Sequence, residues 1–210
     1  MLTDLPKIYP ITDEAISGLP HVEQVTRLAA AGARLIQFRD KVSSGREFYR
    51  SALASLGAAR AGGAKLIIND RVDIALAIGA DGVHLGQDDL PPKHARAILG
   101  DDAIVGFSTH TLEQALAAAS LPIDYIAIGP VFPTSSKSNP DAVVGVETLK
   151  RIRATLPDIR VVAIGGIDDT NAADAFAAGA GAVAIISYLL SEPAEIAHRF
   201  HRLDAVASRA

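Results

Sequence analysis

The stretch Val161-Val162-Ala163-Ile164 is apolar at four successive positions. Side chains alternate between the two faces of a strand, so both faces of this one are apolar, which is typical of a parallel strand covered on both sides. Gly165-Gly166 and an amphipathic stretch follow, and Ala178-Gly179-Ala180 then leads into the next apolar run, Ala182–Ile186. This order predicts a parallel β-α-β unit.

The same unit recurs along the whole chain, and helix starts are marked by Pro92, Thr111 and Thr170. Eight strand and helix pairs in 210 residues predict an α/β fold, a single-domain (β/α)8 TIM barrel over residues 1–210. A doubly wound open sheet is the alternative, but no Gly-x-Gly-x-x-Gly follows the first strand. The predicted strands are Lys7–Thr12, Leu35–Phe38, Lys65–Asn69, Gly82–Leu85, Ile104–Ser108, Tyr125–Gly129, Val161–Ile164 and Ala182–Ile186.

Composition excludes several classes of protein. The net charge of −4 provides no general attraction for nucleic acid or anionic lipid, and the absence of cysteine excludes disulfides, thiolate metal sites and cysteine nucleophiles. No apolar run approaches the roughly 18 residues that span a bilayer, and the start of the chain lacks the apolar stretch of a signal peptide. We therefore expect a soluble, cytoplasmic protein without nucleic-acid or membrane partners, whose oligomeric state the sequence leaves open.

Polar residues at the carboxyl ends of the strands are the candidates for function, because barrels of this kind carry their chemistry there. Alternation places Gln37, Arg39 and Lys41 on one side after the second strand, where two cations suit an anionic ligand. A solvated ion pair of Arg39 or Lys41 with Asp40 or another acid is the alternative interpretation.

Acidic residues follow the next two strands, with Asp70 after the third and Asp88-Asp89 after the fourth. Two carboxylates about 4 Å apart repel by about 4 kcal/mol at an effective dielectric constant near 20, and a divalent cation relieves that repulsion. Oxygen ligands without His or Cys favour Mg²⁺, which bridges carboxylates to substrate phosphates. The alternatives are an Asp70–Arg71 pair and a helix cap by Asp88 or Asp89.

Two features predict a phosphate pocket on the opposite side of the barrel mouth. Gly165-Gly166 and Ser187 follow the last two strands, where exposed N–H groups bind phosphate in many barrels. The segment Gly129–Pro140 carries three prolines, several hydroxyls and Lys137, which suits a lid over a phosphate; a mobile surface loop is the alternative.

The segment after the fifth strand, Ser108-Thr109-His110, offers hydroxyls and an imidazole. A hydrolytic triad is disfavoured because Ser108 lacks a Gly-x-Ser-x-Gly setting; Thr111 as a helix cap and His110 as a brace for the loop is the simpler interpretation. His84, inside the fourth strand, is predicted to be a hydrogen-bonded interior residue and is not assigned to the site.

One centre therefore suits a monophosphate, and the other has charge enough for a diphosphate with Mg²⁺. Diphosphate held by Mg²⁺ and lysine is a good leaving group because its developing charge is already stabilised. These residues predict a transferase that joins two phosphorylated small molecules and expels pyrophosphate, and they identify neither molecule.

Motifs along nearly the full length of the chain resemble those of the thiamine-phosphate synthase (thiamine-phosphate pyrophosphorylase) family. Taken together and in this order, the motifs are highly specific. They are Tyr9-Pro10-Ile11-Thr12-Asp13, Gln37-Phe38-Arg39-Asp40-Lys41, Ile68-Asn69-Asp70-Arg71, Gly82–Leu90, Ser108-Thr109-His110, Gly129–Thr134, Ala163–Ile167 and Ile186-Ser187. The family often has Glu at the position of Asp40 and Thr at that of Ser136.

The resemblance implies coupling of 4-amino-2-methyl-5-hydroxymethylpyrimidine diphosphate to 4-methyl-5-(2-phosphoethyl)thiazole by a dissociative mechanism, giving thiamine phosphate and pyrophosphate. It implies Asp70 and Asp89 as Mg²⁺ ligands and Arg39, Lys137 and Ser108 as catalytic residues. The implied pyrimidine diphosphate contacts are Gln37, Arg39, Lys41, Asn69, Ser108 and Lys137, and the implied thiazole phosphate contacts are Thr134, Ser136, Gly166, Ile186 and Ser187. A thiazole tautomerase on the same barrel, or a non-catalytic phosphate-binding regulatory barrel, is the alternative function.

Overall fold

The computed structural model describes residues 5–134 and 142–210. Its strands are β1 (Ile8–Pro10), β2 (Leu35–Phe38), β3 (Lys65–Asn69), β4 (Gly82–Leu85), β5 (Ile104–Thr109), β6 (Tyr125–Ile128), β7 (Val161–Ile164) and β8 (Ala182–Ile185). The helices are α1 (Glu14–Ser17), α2 (His21–Ala30), α3 (Gly45–Ala61), α4 (Val72–Ile78), α5 (Pro92–Leu99), α6 (Leu112–Ala118), α7 (Gly145–Thr155), α8 (Ala172–Ala177), α9 (Ser187–Leu190) and α10 (Ile196–Ala207), with a 3₁₀ turn at Pro193–Glu195.

All eight strands are parallel and lie in one sheet in the order β1-β8-β7-β6-β5-β4-β3-β2. An isolated parallel bridge between Ile11 and Gln37 joins the two ends of this sheet, and the Thr12 N–H donates to the Gln37 carbonyl at 2.9 Å. The sheet is therefore a barrel with helices between its strands, and the predicted (β/α)8 TIM barrel is confirmed.

Alternation along the strands divides the apolar residues into two cores. Outward-facing residues such as Ile36, Ile68 and Val105 pack against the helices, whereas inward-facing residues such as Leu35, Ile67 and Ile104 fill the barrel interior. Both faces of each strand are buried, which explains the doubly apolar stretches that predicted a parallel sheet. Towards the carboxyl ends, the inward positions become polar.

Helix starts follow the sequence signals with one difference. Thr111 caps α6 by accepting the Gln114 N–H at 3.1 Å, and Pro92 is the first residue of α5, as predicted. In α8 the residue before the helix is Asn171, and the Thr170 hydroxyl, predicted as the cap, instead donates to the Asp168 carboxylate. Within the described ranges, no helix combines the length and the apolar character needed to cross a membrane.

Candidate active site

A cavity of about 550 Å³ opens at the carboxyl ends of the strands. The structure brings together in its lining every predicted site residue that it describes. These are Gln37, Arg39, Lys41, Asn69, Asp70, Asp89, Ser108, Thr134, Gly166, Ile186 and Ser187. Ser136 and Lys137 lie outside the described residues.

The turn after β3 brings the Asp70 carboxylate to the Lys41 ammonium, with 2.5 Å between Oδ2 and Nζ. Asp70 has φ +62°, a left-handed backbone conformation that Asp tolerates better than most residues with a side chain. Its N–H donates to the His84 carbonyl at 2.9 Å, which ties the turn to β4. A non-glycine residue in this conformation at the mouth of a cavity is a frequent sign of a functional site.

Asp89 lies beside Asp70, as the pairing of carboxylates from neighbouring segments requires. Its Oδ2 accepts the Gly86 N–H at 2.6 Å, which fixes the side chain in the loop after β4. Burial raises the pKa of Asp89, and the neighbouring Asp70 carboxylate raises that pKa further. The two acids therefore repel one another, and the Lys41 ammonium offsets part of that repulsion.

The two alternatives stated for these acids do not describe their contacts, whereas the alternative stated for Lys41 does: Lys41, 51% exposed, forms an ion pair with Asp70. Arg71 pairs with Asp73, with 2.6 Å between the closest atoms, and not with Asp70. The residue before α5 is Pro91, and no side chain in the described part of the chain caps that helix. A cation bound here would share the Asp70 carboxylate with Lys41 and the Asp89 carboxylate with the Gly86 N–H.

The pair of carboxylates has the donor chemistry that would suit a Mg²⁺ ion. Hard oxygen ligands and close approach of two acids are what Mg²⁺ prefers, and this ion commonly uses one or two carboxylates together with substrate phosphates. No group of three or more His, Cys, Asp or Glu side chains suited to a metal occurs among residues 5–134 and 142–210. A closed, fully protein-ligated site is therefore not formed by the described residues.

Arg39 is held in place by Asp13, with 2.7 Å between its Nη1 and Oδ2. The two side chains are only 18% and 14% exposed, so this is not the solvated pair of the alternative interpretation, and its partner is not Asp40. The other oxygen of Asp13 caps α1 by accepting the N–H groups of Ala15 and Ile16. One acid thus orients the guanidinium and begins a helix.

Asn69 presents a donor that the described residues leave unused. Its Nδ2 is buried and has no hydrogen-bond partner within the described structure, and the residue lines the cavity. A buried amide donor without a partner is uncommon and calls for an explanation, such as a ligand that accepts from it. A diphosphate oxygen beside Lys41 and Asp70 would be such an acceptor.

The loop after β7 builds the opposite wall of the cavity. Gly165 and Gly166 have φ +98° and +64°, and a Cβ on Gly166 would lie 2.3 Å from the Pro133 carbonyl oxygen. The Phe132 N–H donates to the Gly165 carbonyl at 3.0 Å, which packs the loop after β6 against this turn. Glycine is required here, and Thr134 and Ser187 bring hydroxyls to the same wall.

His84 is one of the cavity-lining residues that the sequence interpretation left out of the site. It is a hydrogen-bonded interior residue as predicted, but it also lines the cavity, and its Nε2 lies 2.8 Å from the Ser108 hydroxyl. Its Nδ1 lies 3.0 Å from the Tyr125 hydroxyl. A tyrosine therefore stands where a Ser-His-acid triad would have its carboxylate. Strand alternation could have predicted this position, because Val83 and Leu85 of β4 face outward and His84 between them therefore faces the barrel interior.

His110 braces the loop as predicted. Its ring Nδ1 lies 2.7 Å from the Gly129 carbonyl oxygen, and its backbone N–H donates to the Gln114 side-chain oxygen at 2.7 Å. The loops after β5 and β6 are thereby joined at the cavity mouth. Gln87 adds a third loop, because its side-chain amide donates to the Ser108 carbonyl at 2.5 Å.

Comparison with known proteins gives consistent results. A family model described as "Thiamine monophosphate synthase" matches residues 8–189. The chain is 45% identical over 193 residues to the thiamine-phosphate synthase of Chlorobium phaeovibrioides, which covers 92% of this chain and 90% of the relative. It is 40% identical over 186 residues to that of Chloroflexus aurantiacus, covering 88% and 85% respectively.

Among solved structures, the thiamine phosphate pyrophosphorylase of Pyrococcus furiosus superimposes with a TM-score of 0.86 at 35% sequence identity. That match covers 97% of this chain and 96% of the other. Fold, motifs and overall sequence therefore agree along almost the whole length. The chain belongs to the thiamine monophosphate synthase family.

Proposed function

We propose that the protein condenses 4-amino-2-methyl-5-hydroxymethylpyrimidine diphosphate with 4-methyl-5-(2-phosphoethyl)thiazole, releasing thiamine phosphate and pyrophosphate with the help of Mg²⁺. Family membership supports the reaction. The observation that carries the finer proposal is that one cavity has a cationic wall with two carboxylates, and a glycine and hydroxyl wall facing it. Two substrates that each carry a phosphate group match these two walls.

The cationic wall would hold the diphosphate. Arg39 and Lys41 supply positive charge, and the unpartnered Asn69 amide and the Ser108 hydroxyl supply donors. Lys137 would join them, as the family resemblance implies. Mg²⁺ bound by Asp70 and Asp89 would neutralise the charge that develops on the departing diphosphate.

The opposite wall would hold the thiazole phosphate. The backbone around Gly166 and Ile186 allows a phosphate oxygen to approach closely, and Thr134 and Ser187 carry hydroxyls. Ser136 would contribute a further hydroxyl, as the resemblance implies. Gln37, 2% exposed between the two walls, would contact the pyrimidine ring.

This arrangement suits a dissociative reaction in which the protein forms no covalent bond. The bond between the pyrimidine methylene carbon and the diphosphate oxygen breaks, and its electron pair leaves with the diphosphate. The thiazole nitrogen then donates its lone pair to the methylene carbon, so the positive charge ends on the thiazolium nitrogen and no proton has to be removed. The protein holds both substrates in line and limits access of water, which would otherwise capture the carbocation.

A pyrophosphate-release assay with both substrates tests the proposal. We expect release only when both substrates and Mg²⁺ are present, and none in excess chelator. Full turnover in chelator would refute the role of the metal. Isomerisation of a thiazole phosphate without pyrophosphate release would instead identify the tautomerase.

Asp70→Asn isolates the role of the carboxylate, because Asn tolerates the left-handed backbone at this position. We expect kcat to fall at least about 10²-fold through lost stabilisation of the leaving group. Asp102→Asn is the matched control, since Asp102 is exposed before β5 at the other end of the barrel. Equal activity of Asp70→Asn and the control would contradict the proposal.

A further inference from the structure

Five polar side chains form a continuous hydrogen-bonded chain across the barrel interior beneath the cavity. The Gln37 amide Nε2 lies 3.1 Å from the Tyr9 hydroxyl, which lies 3.0 Å from the Tyr125 hydroxyl. The Tyr125 hydroxyl lies 3.0 Å from His84 Nδ1, and His84 Nε2 lies 2.8 Å from the Ser108 hydroxyl. We call these five residues the floor chain.

The floor chain is closed off from solvent along its middle. Tyr9 is 1% exposed and Tyr125 is 0% exposed. Burial raises the pKa of both phenols well above the ordinary value, so each keeps its proton. Each tyrosine therefore has one proton to donate, and the direction of one hydrogen bond determines the direction of the next.

One consistent set of directions links the whole chain to the observed orientation of the Gln37 amide. Gln37 Nε2 donates to Tyr9, and within residues 5–134 and 142–210 the Tyr9 hydroxyl has only one other hydrogen-bond partner, Tyr125. Tyr9 must therefore donate to Tyr125, and Tyr125 must donate to His84 Nδ1. A neutral His84 then carries its proton on Nε2, which lies 2.8 Å from the Ser108 hydroxyl oxygen, and a proton donated there leaves the Ser108 hydrogen to point elsewhere.

The backbone of β5 is adapted to this chain. Gly106 lies under the contact between Tyr125 and His84, where a Cβ would stand 2.3 Å from the Tyr125 hydroxyl oxygen and 2.6 Å from His84 Nδ1. Any larger residue at position 106 would separate the two groups. The Tyr125 and His84 rings also stack, with 5.6 Å between their centroids.

We infer that Tyr9 and Tyr125 are positioning residues that set the orientation of the Gln37 amide, so that its carbonyl oxygen faces the substrate. This inference rests on the proposed function. With Nε2 committed to Tyr9, Oε1 is the atom left for the cavity, and it accepts from the exocyclic amino group of a 4-aminopyrimidine. The same polarity directs the Ser108 proton towards a diphosphate oxygen. An analogue with a 4-oxo group would place an acceptor against an acceptor.

A histidine ¹⁵N NMR spectrum of the ligand-free protein tests the polarity directly, with the His84 signals assigned by comparison with His84→Gln. We expect a neutral His84 with its proton on Nε2 and with Nδ1 as the acceptor. A proton on Nδ1 would mean that the chain runs in the opposite direction and would overturn the inference. This measurement does not depend on catalysis.

Tyr125→Phe tests the consequence for specificity, because it removes the acceptor of the Tyr9 proton. Tyr9 can then donate only to Gln37, so the amide turns and presents its NH₂ group to the cavity. We expect kcat/KM for the 4-amino substrate to fall about 10-fold, mainly through KM, since the ring contact is present before and during the reaction. The 4-oxo analogue, tested as a competitive inhibitor, should gain at least about 10-fold relative to the 4-amino substrate.

Tyr49→Phe is the matched control, because Tyr49 is 38% exposed on α3 and takes no part in the chain. The same ratio of analogue to substrate affinity in wild type and Tyr125→Phe would overturn the inference. If wild type releases no pyrophosphate from the two substrates, the proposed function fails, while the NMR result still decides the polarity of the floor chain.

Discussion

Asp13 serves the candidate site through Arg39, although it does not line the cavity. Asp13→Asn separates its two tasks, because Asn remains a good helix cap while losing the charge that orients the guanidinium. We expect kcat/KM for the pyrimidine diphosphate to fall about 10-fold, chiefly through KM, and the melting temperature to change little. Steady-state kinetics and thermal unfolding check both parts; a large loss of stability with unchanged kinetics would contradict this role.

Asp89 illustrates the opposition between stability and function at a single residue. Its pKa is raised above the ordinary value of 3.8, so the folded state binds more protons than the unfolded state between those two values. Stability therefore falls as the pH rises through that window, and the whole cost is present at neutral pH. Replacing the Asp89 carboxylate with a neutral side chain should remove this cost to the stability of the folded state.

We expect Asp89→Asn to lose at least about 10²-fold in kcat and to melt at the same temperature or up to about 3 °C higher in the absence of Mg²⁺. Thermal unfolding in chelator and the pyrophosphate assay measure the two effects. A variant that melts well below wild type would show that the Asp89 charge stabilises the ligand-free fold.

At the scale of elements, helix α2 begins with a buried histidine that links it to β1 and β2. His21 is 2% exposed, its Nδ1 lies 2.8 Å from the Thr12 hydroxyl, and its ring packs on Phe38. Burial lowers its pKa below 6.5, although the facing carboxylates of Glu14 and Asp40 act in the opposite direction. The nearby Asp13 carboxylate also raises this pKa, whereas the Arg39 guanidinium lowers it.

Because the folded state resists protonation of His21, stability should fall as the pH drops below 6.5 towards the lowered pKa. His21→Gln removes the titrating group, so we expect a flatter dependence of the unfolding free energy on pH between about 5 and 6.5. Denaturant unfolding at several pH values provides the measurement, and the slope matters rather than the absolute stability. His198→Gln, on the exposed face of α10, is the control.

The elements were largely predictable from sequence because each strand combines a β-branched run with a punctuating turn. Leu35–Phe38 and Val161–Ile164 have the predicted bounds. β1 is shorter than predicted, because Ile11 bonds to β8 through its N–H while Thr12 turns to β2. This change of partner, from β8 to β2, depends on closure of the barrel, and local sequence patterns do not predict it.

The lining of the cavity was predictable where a residue stands at the carboxyl end of a strand, as for Asp70 and Gln37. Partners from distant segments were not predictable, as the Asp13–Arg39 pair and the pairing of Tyr9 with Tyr125 show. A sequence shows which residues can pair, whereas the barrel decides which of them meet. His84 is the hydrogen-bonded interior residue that the sequence predicted, and only the structure shows that it also lines the cavity.

At the scale of the whole molecule, ligand binding should stabilise the fold. Pyrophosphate with Mg²⁺ at about 100 times its Kd would add about 2.7 kcal/mol, which corresponds to roughly 5 to 10 °C in melting temperature for a chain of this size. We expect that shift in wild type with both components present, and a much smaller one in chelator or in Asp89→Asn. An equal shift without Mg²⁺ would show that the cationic side chains bind the anion alone.

Within the described residues, an isolated bridge between Ile11 and Gln37 closes the barrel between its first two strands. The other neighbouring strands pair over three or more residues. At the closure, the backbone of Gln37 forms the bridge, and the side chain of the same residue lines the cavity. A pyrimidine bound to the Gln37 amide would therefore also stabilise the closure of the barrel, and opening of the barrel at this point would weaken binding.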